Sequence, residues 1–336
     1  MESSFRKRCV CYLLIIFISW VPHSLSRVIQ DVSMIERHKQ WMSSYGRQYK
    51  DIEEKEKRYN IFKANVEYID LVNSAGNKPY RLGVNEFADL TNEEFKAAYI
   101  GYRTLSKRTK STSFRYENAN DFPPSVDWRK RGAVTPIRDS VCGAWTFPAV
   151  DTVEGLTKIK TGKLYTLSVQ EILDCEGEGH GCDGGFVDDA FEFIKQHGLT
   201  TESNYPSKGN TSTCDTQKEA EPVTKISGYE NVLVDNEKAL LRAVVNQPVS
   251  VTVDALGVHF QFYSSGVFTG DCGTVLNHGV TLVGYGTSNI GKLKYWLIKN
   301  SWGTSWGEGG YMRMQRDVAA KEGLCGIAME ATYPVA

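Results

Sequence analysis

The stretch TPIRDSVCGAWTFPAV, residues 135–150, combines a cysteine, Cys142, with a helix-like run that begins at Trp145. A cysteine at the N-terminus of a helix has a lowered thiol pKa, and its thiolate is a strong nucleophile. The question is therefore whether this stretch holds a free thiol that can do nucleophilic chemistry.

The cysteine count argues against a free thiol. Three basic residues at 6–8 precede an apolar run and the small-residue stretch HSLS, which predicts a secretory signal cleaved near Ser26. The apolar run is shorter than the ~20 residues that a spanning helix needs. Cys9 and Cys11 leave with the signal, and the six remaining cysteines predict three disulfides in an oxidising compartment.

Composition limits the classes of partner. The chain has 336 residues, a formal net charge of −1 and no block of like charge, so neither nucleic acid nor an anionic membrane is indicated. The simplest partner is a protein or peptide. We predict no cofactor and no metal site, and we expect a monomer.

The N-terminal third is predicted to be helical, with one helix that ends at Gly46 and a longer one from about Ile52 to Ser74. In the longer helix, six residues that include charged and amide side chains fall within one stripe about 100° wide: Glu54, Arg58, Phe62, Asn65, Ile69 and Asn73. Such a stripe is suited to a specific polar packing network. After it, an alternating pattern predicts a short extended segment through Gly83, Asn85, Phe87 and Asp89.

The stretch from 103 to 120 is polar and basic without periodicity, which predicts an exposed, cleavable linker ending near Asn120. Beyond it the helices come first: one from Trp145 to about Lys160, one opened by a capping box of Ser168 and Glu171, and one that ends at Gly198. Strand patterns follow in VSVTVDA, GVTLVGYG, KYWLIKNSW and GYMRMQR. This segregation predicts an α+β domain with a helical half and a sheet half.

Several of these segments together resemble the papain family of cysteine endopeptidases, in its plant branch related to cathepsin L. They are FPPSVDWRKRGAVTP, LSVQEILDC, GCDGGF, LNHGVTLVGYG and LIKNSWGTSWGEGGYMRM. The helical stripe resembles the family's ERFNIN propeptide signature, and the Gly83 to Asp89 pattern resembles its companion motif. The resemblance implies a papain-like two-domain fold, with a helical half and an antiparallel β-barrel-like half, preceded by an inhibitory propeptide. The expected divisions are a signal peptide at 1–26, a propeptide at 27–120 and a peptidase domain at 121–336.

The resemblance also implies a catalytic site. In that family the nucleophile is a cysteine directly before a tryptophan, a histidine is its base, and an asparagine orients the imidazole. His278 matches the base, Asn300 the orienting amide, and Trp302 the indole that shields their hydrogen bond. Taken alone, a histidine beside a strand is more often structural, but the flanking motifs favour the catalytic interpretation.

The nucleophile position departs from the family pattern. The residue before Trp145 is Ala144, and a methyl group cannot attack a carbonyl. The segment is two residues shorter than the family's, and the glutamine that donates to the oxyanion is absent; Asp139 in its place would repel the developing charge. Cys142 lies too far along the chain to substitute for the missing cysteine. Pro148 is expected to shift or distort the helix start.

The resemblance further implies three disulfides, Cys142–Cys182, Cys175–Cys214 and Cys272–Cys325, and therefore no unpaired cysteine in the mature domain. It also places seven further residues around the substrate: Gly184, Gly185, Phe186, Val187, Thr252, Gly279 and Glu330. Asn210 begins an N-glycosylation sequon in a polar loop.

The sequence therefore predicts a papain-like peptidase homologue that lacks catalytic activity and binds peptide, or regulates, through its cleft. The expected location is the secretory pathway, in a vacuole-like compartment or outside the cell. Two alternatives stay open: an active endopeptidase with a rearranged site or a sequence error, and a storage or defence protein without cleft function.

Overall fold

The computed structural model describes residues 32–100, 114–119, 122–139, 142–177 and 181–336. The predicted signal peptide, the linker residues 103–113 and Asn120 lie outside these ranges. Within them, no helix is both long enough and apolar enough to cross a membrane. The chain divides into two compact units, 1–68 and 69–336.

The first unit is an aromatic helix pair. Helix α1 (32–44) and the first part of α2 (Ile52–Ser74) pack through His38 and Phe62, whose ring centroids are 4.8 Å apart. Within the predicted polar stripe, Arg58 Nε donates to Glu54 Oε1 over 2.6 Å. The predicted bounds of α2 are confirmed.

The second unit begins with the end of α2. There Nδ2 of Asn73 donates to the carbonyl of Leu82, and Oδ1 of Asn73 accepts from the N–H of Leu82. Strand β1 (Tyr80–Leu82) then pairs with β5 (Tyr263–Phe268). The prediction that an extended segment continues to Asp89 is wrong beyond Asn85, because residues 86–89 form turns. The side chain of Asn85 accepts from Phe87 N and donates to the carbonyl of Gln261, which turns the chain into α3 (Asn92–Tyr99).

The helical half has a core of its own, shared by α4 (Phe147–Thr161), α5 (Gln170–Cys175) and α6 (Val187–His197). Helix α4 begins two residues later than predicted, with Pro148 in its first turn, where no backbone donor is needed. Only half of the predicted capping box forms. Ser168 Oγ accepts from Glu171 N, but the Glu171 carboxylate accepts from Thr200 N instead.

The sheet half contains the remaining elements, among them β6 (His278–Thr287) and β7 (Lys294–Lys299), which carry the site. The others are β2 (Val126–Asp127), β3 (Gly228–Asn231), α8 (Glu237–Asn246), β4 (Val249–Val253), α9 (Val258–Gln261), β8 (Tyr311–Gln315) and β9 (Ala331–Val335). Helix α7 (Thr216–Glu219) packs against α5 in the helical half.

The strand order is β1-β5-β8-β7-β6-β4-β9-β3, with β2 on β6. The fold is α+β as predicted. However, the barrel-like antiparallel half is an open sheet in which β5 and β8 run parallel. Strand β1 lies at one end of this order and β3 at the other, and within the described residues these two strands do not pair with each other.

The described end of the predicted linker is partly exposed. Phe114 is buried in the core of the sheet half, and Arg115 forms an ion pair with Glu230. The prediction of an exposed segment is confirmed for Arg115, Glu117 and Asn118 and wrong for Phe114, because the ring of Phe114 packs into the core.

Candidate active site

Strand pairing brings His278 and Asn300 together. His278 begins β6, and Asn300 directly follows β7, which pairs with β6 so that Thr281 lies opposite Lys299. Nε2 of His278 lies 2.8 Å from Oδ1 of Asn300. The same oxygen accepts from the backbone N–H of Ser301 over 2.8 Å, which fixes the amide orientation.

His278 is fully buried, and this burial lowers its pKa to about 4, although the hydrogen bond to Asn300 favours the protonated form. The imidazole is therefore neutral near pH 7. Because Oδ1 of Asn300 can only accept, Nε2 carries the proton and Nδ1 holds a lone pair. Among the described residues, Nδ1 has no hydrogen-bond partner. The site thus contains an oriented imidazole whose Nδ1 can accept a proton.

The indole of Trp302 covers this pair. Its ring stacks on His278 with centroids 4.5 Å apart and is 1% exposed, so it keeps water from the bond between His278 and Asn300. Three aromatic rings from residues 87–99 meet Trp302 edge to face, at centroid distances of 5.9, 5.1 and 6.5 Å: Phe87, Phe95 and Tyr99.

Ala144 lies beside the residue that follows His278. A Cβ atom on Gly279 would stand 3.7 Å from the carbonyl oxygen of Ala144 and 3.0 Å from Cγ of Pro148. The first turn of α4 therefore approaches the start of β6 closely, and a side chain at 279 would push the two apart. The side chain of residue 144 is a methyl group.

The cysteines offer no thiol here. All six in the described ranges form disulfides, in the three pairs that the family resemblance implies: Cys142–Cys182, Cys175–Cys214 and Cys272–Cys325. Cys9 and Cys11 lie outside the described residues. Chemistry at His278 would have to proceed without a sulfur nucleophile.

Arg138 and Asp139 contact the backbone at Trp302 and Gly303. Asp139 forms a β-bridge with Trp302, and the carbonyl of Arg138 accepts from Gly303 N over 3.1 Å. The carboxylate of Asp139 is close to Gly303, because a Cβ there would lie 3.0 Å from it. Ser140 and Val141 lie outside the described residues.

A buried charge network below the site was missed by the sequence analysis. Asp151 on α4 accepts from Arg138 over 2.7 Å, from Lys299 over 2.9 Å and from Thr281 over 3.1 Å. Glu154, one turn later, accepts from Arg138 over 2.7 Å. Burial alone would lower the pKa of Arg138, but the two carboxylates raise it. Two acidic residues three apart within an apolar helix were the signal that could have revealed this network.

The remaining predicted positions fall into two sets. Thr252 lies opposite Gly279 in the pairing of β4 with β6, and its N–H donates to the carbonyl of Glu330, so the structure brings these three together. The other four lie at the turn that leads into α6, in the helical half: Gly184, Gly185, Phe186 and Val187. Asn210 is exposed.

Family models match most of the chain. The model described as papain family cysteine protease matches residues 122–335, and the cathepsin propeptide inhibitor domain (I29) matches residues 38–95. The senescence-specific cysteine protease SAG12 of Arabidopsis thaliana is 52% identical over 323 residues, which are 93% of each chain. Vignain of Ricinus communis is 52% identical over 296 residues, which are 85% of this chain and 82% of vignain.

Solved structures agree with the family models. The recombinant stem bromelain precursor has a TM-score of 0.84 at 46% identity and covers 90% of this chain and 99% of its own. The proform of the ragweed pollen allergen Amb a 11, a cysteine protease, has a TM-score of 0.84 at 40% identity, covering 90% of this chain and 85% of its own. The matched regions carry both the propeptide and the site built from His278 and Asn300, and the chain therefore belongs to the papain family of cysteine proteases, in a form that includes its inhibitory propeptide.

Proposed function

We propose that this chain is a papain-family peptidase homologue that has lost its catalytic activity. The observation that carries the proposal is the buried Nδ1 of His278, which has no hydrogen-bond partner among the described residues. The residue directly before Trp145, where the family has its nucleophile, is Ala144. A general base without a nucleophile cannot form an acyl intermediate. Residues 136–144 also contain no glutamine to donate to the oxyanion.

The retained geometry favours a role in binding. The pair of His278 and Asn300 is formed and covered by Trp302, and Gly184 and Gly185 would supply backbone hydrogen-bonding groups to an extended peptide that is not cleaved. We propose that the cleft binds peptide and that the protein acts as a binding or regulatory protein. The substrate-lining residues would be Gly184, Gly185, Phe186, Val187, Thr252, Gly279, Trp302 and Glu330.

The test is a peptidase assay on the purified mature protein, run with and without a thiol alkylator. The proposal predicts no turnover, but saturable binding of a non-hydrolysable peptide. Hydrolysis that the alkylator abolishes would disprove the loss of activity. An absence of saturable binding together with an absence of turnover would disprove the binding role alone.

The second candidate is an active cysteine endopeptidase whose site is rearranged or whose sequence contains an error. The 52% identity to a chain named as a cysteine protease, together with the intact pair of His278 and Asn300, favours it. Resequencing the transcript across codons 136–148 separates the candidates, because six additional nucleotides would restore the family's length.

We further propose a secretory route, with a signal peptide at 1–26, a propeptide at 27–120 and a mature domain from 121, ending in a vacuole-like compartment or outside the cell as a monomer. The three disulfides support an oxidising route. We propose that Asn210, which is exposed, carries a glycan. Enzymatic removal of N-glycans should lower the mass of the purified protein, and an unchanged mass would disprove the glycan.

A further inference from the structure

A cavity of about 290 Å³ lies beside α4 and α5. Its walls come from the segment 136–139, the first turn of α4, the segment before α5 and the loop at 202–207. The residues that line it and the residues predicted to line the substrate cleft are different sets. Its volume is close to the lower limit of ~300 Å³ for ligand pockets, so it suits a molecule with a single ring or a short chain.

Hydrogen bonds hold the walls of this cavity together. The N–H of Glu202 donates to the carbonyl of Thr166 over 2.8 Å, and Leu167 forms a β-bridge with Thr201. Nη2 of Arg138 donates to the carbonyl of Leu167 over 2.9 Å, which ties the segment that carries Arg138 to the same wall. The cavity is therefore preformed, and a ligand would bind without the cost of ordering a loop.

The inner surface of the cavity is apolar and aromatic. Phe147 is 5% exposed and Val169 is 4% exposed, and both line the cavity together with Ile137. The guanidinium carbon of Arg138 lies 5.9 Å from the ring centroid of Phe147. An apolar ligand body, and an aromatic ring in particular, would pack against this surface.

Two carboxylates, those of Asp139 and Glu202, also line the cavity. Asp139 is exposed, whereas Glu202 is half-buried, and its Oε1 accepts from the backbone N–H of Ser207 over 2.8 Å. Within the described ranges neither carboxylate forms an ion pair. Both are therefore available to a cation from outside the chain.

Arg138 lines the cavity as well, but its charge is already compensated. Its guanidinium pairs with Asp151 and with Glu154 at 2.7 Å each, and Asp151 pairs in addition with Lys299 at 2.9 Å. Two cations and two carboxylates thus balance within this network. The charge that remains at the cavity is negative, which excludes an anionic ligand and favours a cationic one.

We propose that this cavity binds a small organic cation, a primary amine joined by a short chain to one aromatic ring, with the ammonium group at Asp139 and Glu202 and the ring against Phe147 and Val169. The ammonium group has enough N–H donors for both carboxylates and for the hydroxyl of Ser207. Bonds between charged groups are stronger than neutral ones, so the carboxylates would supply the selectivity and the apolar wall the rest of the affinity. The inference is independent of whether the chain is catalytically active.

Isothermal titration of the full chain with 2-phenylethylamine tests the proposal. We expect saturable binding at a single site per chain, with a Kd of about 1 mM or lower. Two analogues are matched controls for the charge. 2-Phenylethanol has nearly the same shape without a charge, and phenylacetate has the opposite charge. Each should bind at least about tenfold more weakly than the amine.

Four variants locate the site. Asp139→Asn and Glu202→Gln keep the shape of the side chains and should each weaken amine binding about threefold or more, without changing the binding of 2-phenylethanol. Ser207 is exposed and therefore lies at the open side of the cavity, so Ser207→Trp should block both ligands. Glu330→Gln removes the carboxylate of the predicted cleft and should leave amine binding unchanged. Circular dichroism checks that each variant is folded.

Three results would overturn the proposal. Equal affinity for the amine and for 2-phenylethanol would show that the carboxylates do not recognise the ligand. Loss of amine binding in folded Glu330→Gln, but not in Asp139→Asn or Glu202→Gln, would place the amine in the cleft. The absence of saturable binding at millimolar amine would show that the cavity holds only solvent.

Discussion

The imidazole of His278 is held in place by Asn300 and Trp302. Its bond to Asn300 and its stack on Trp302 are structural contacts, and removing either would leave a buried polar atom or a void. Its Nδ1 is buried without a hydrogen-bond partner among the described residues, which costs free energy. The orientation of His278 therefore comes from Asn300 and Trp302 and requires no partner at Nδ1.

Restoring sulfur alone should not restore full activity. Ala144→Cys is expected to add one thiol that reacts with an alkylator, because the other six cysteines of the described residues already pair with one another. Peptide hydrolysis should stay about 10²–10³-fold below that of a variant in which Gln-Gly-Ser-Cys-Gly-Ser-Cys-Trp replaces residues 140–145, since a missing oxyanion donor costs about that much. The measurement is kcat for a peptide substrate, with Ala144→Ser as the control without a thiol. Equal kcat in the two cysteine variants would show that the oxyanion donor is not the second defect.

The burial of His278 makes a prediction about pH. Its pKa is lowered from 6.5 to about 4 in the folded protein, so between these values the unfolded chain binds more protons. The free energy of unfolding should therefore fall as pH drops from 6.5 to 4, by up to about 3 kcal/mol from this residue.

Urea unfolding of the unmodified protein and of His278→Gln at several pH values measures this contribution. Other groups, such as Glu171 with its pKa raised by burial to about 7, titrate in both proteins and cancel in the comparison. The difference in unfolding free energy between the two proteins should shrink as pH falls. A difference that is constant from pH 7 to 4 would contradict a buried neutral imidazole.

Among the elements, α4 is held to β6 and β7 by buried charge. Asp151 binds Thr281 on β6 and Lys299 on β7, and the side chain of Lys299 is only 1% exposed. Removing one member of a buried ion pair leaves an uncompensated charge, which is typically more destabilising than replacing both. This network ties α4 to the two strands that position His278 and Asn300.

A double-mutant cycle tests the network. We expect Asp151→Ala to lower the free energy of unfolding by about 3–5 kcal/mol, and Asp151→Ala combined with Lys299→Met to recover part of that loss. Glu192→Ala, which removes an exposed pair with Lys195, should cost less than about 1 kcal/mol. Additive effects of the Asp151 and Lys299 substitutions would contradict a direct coupling.

The elements also show what sequence patterns can and cannot predict. Apolar periodicity and the polar stripe predicted α2 from Ile52 to Ser74 because both are properties of one helix. The prediction failed where distant residues decide the conformation. Asn85 turns the chain by bonding to Gln261, and Phe114 leaves solvent because its ring packs into the core beside Tyr333. No local pattern records those partners.

At the scale of the whole molecule, the family's motifs predicted the fold class and the meeting of His278 with Asn300, since those motifs lie at the starts and ends of paired strands. They did not predict the parallel pairing of β5 with β8 or the charge network of Asp151. The first depends on the path of a long connection, and the second on a residue outside every motif quoted. The helical half and the sheet half each have a core of their own.

The most direct test of the central claim is a count of free thiols in the purified mature protein, denatured without reduction. The six cysteines that follow the predicted signal peptide form three disulfides, so we predict no reactive thiol per chain and no hydrolysis of peptide substrates. One thiol per chain, whose alkylation abolishes a measurable peptidase activity, would contradict the claim that the nucleophile has been lost.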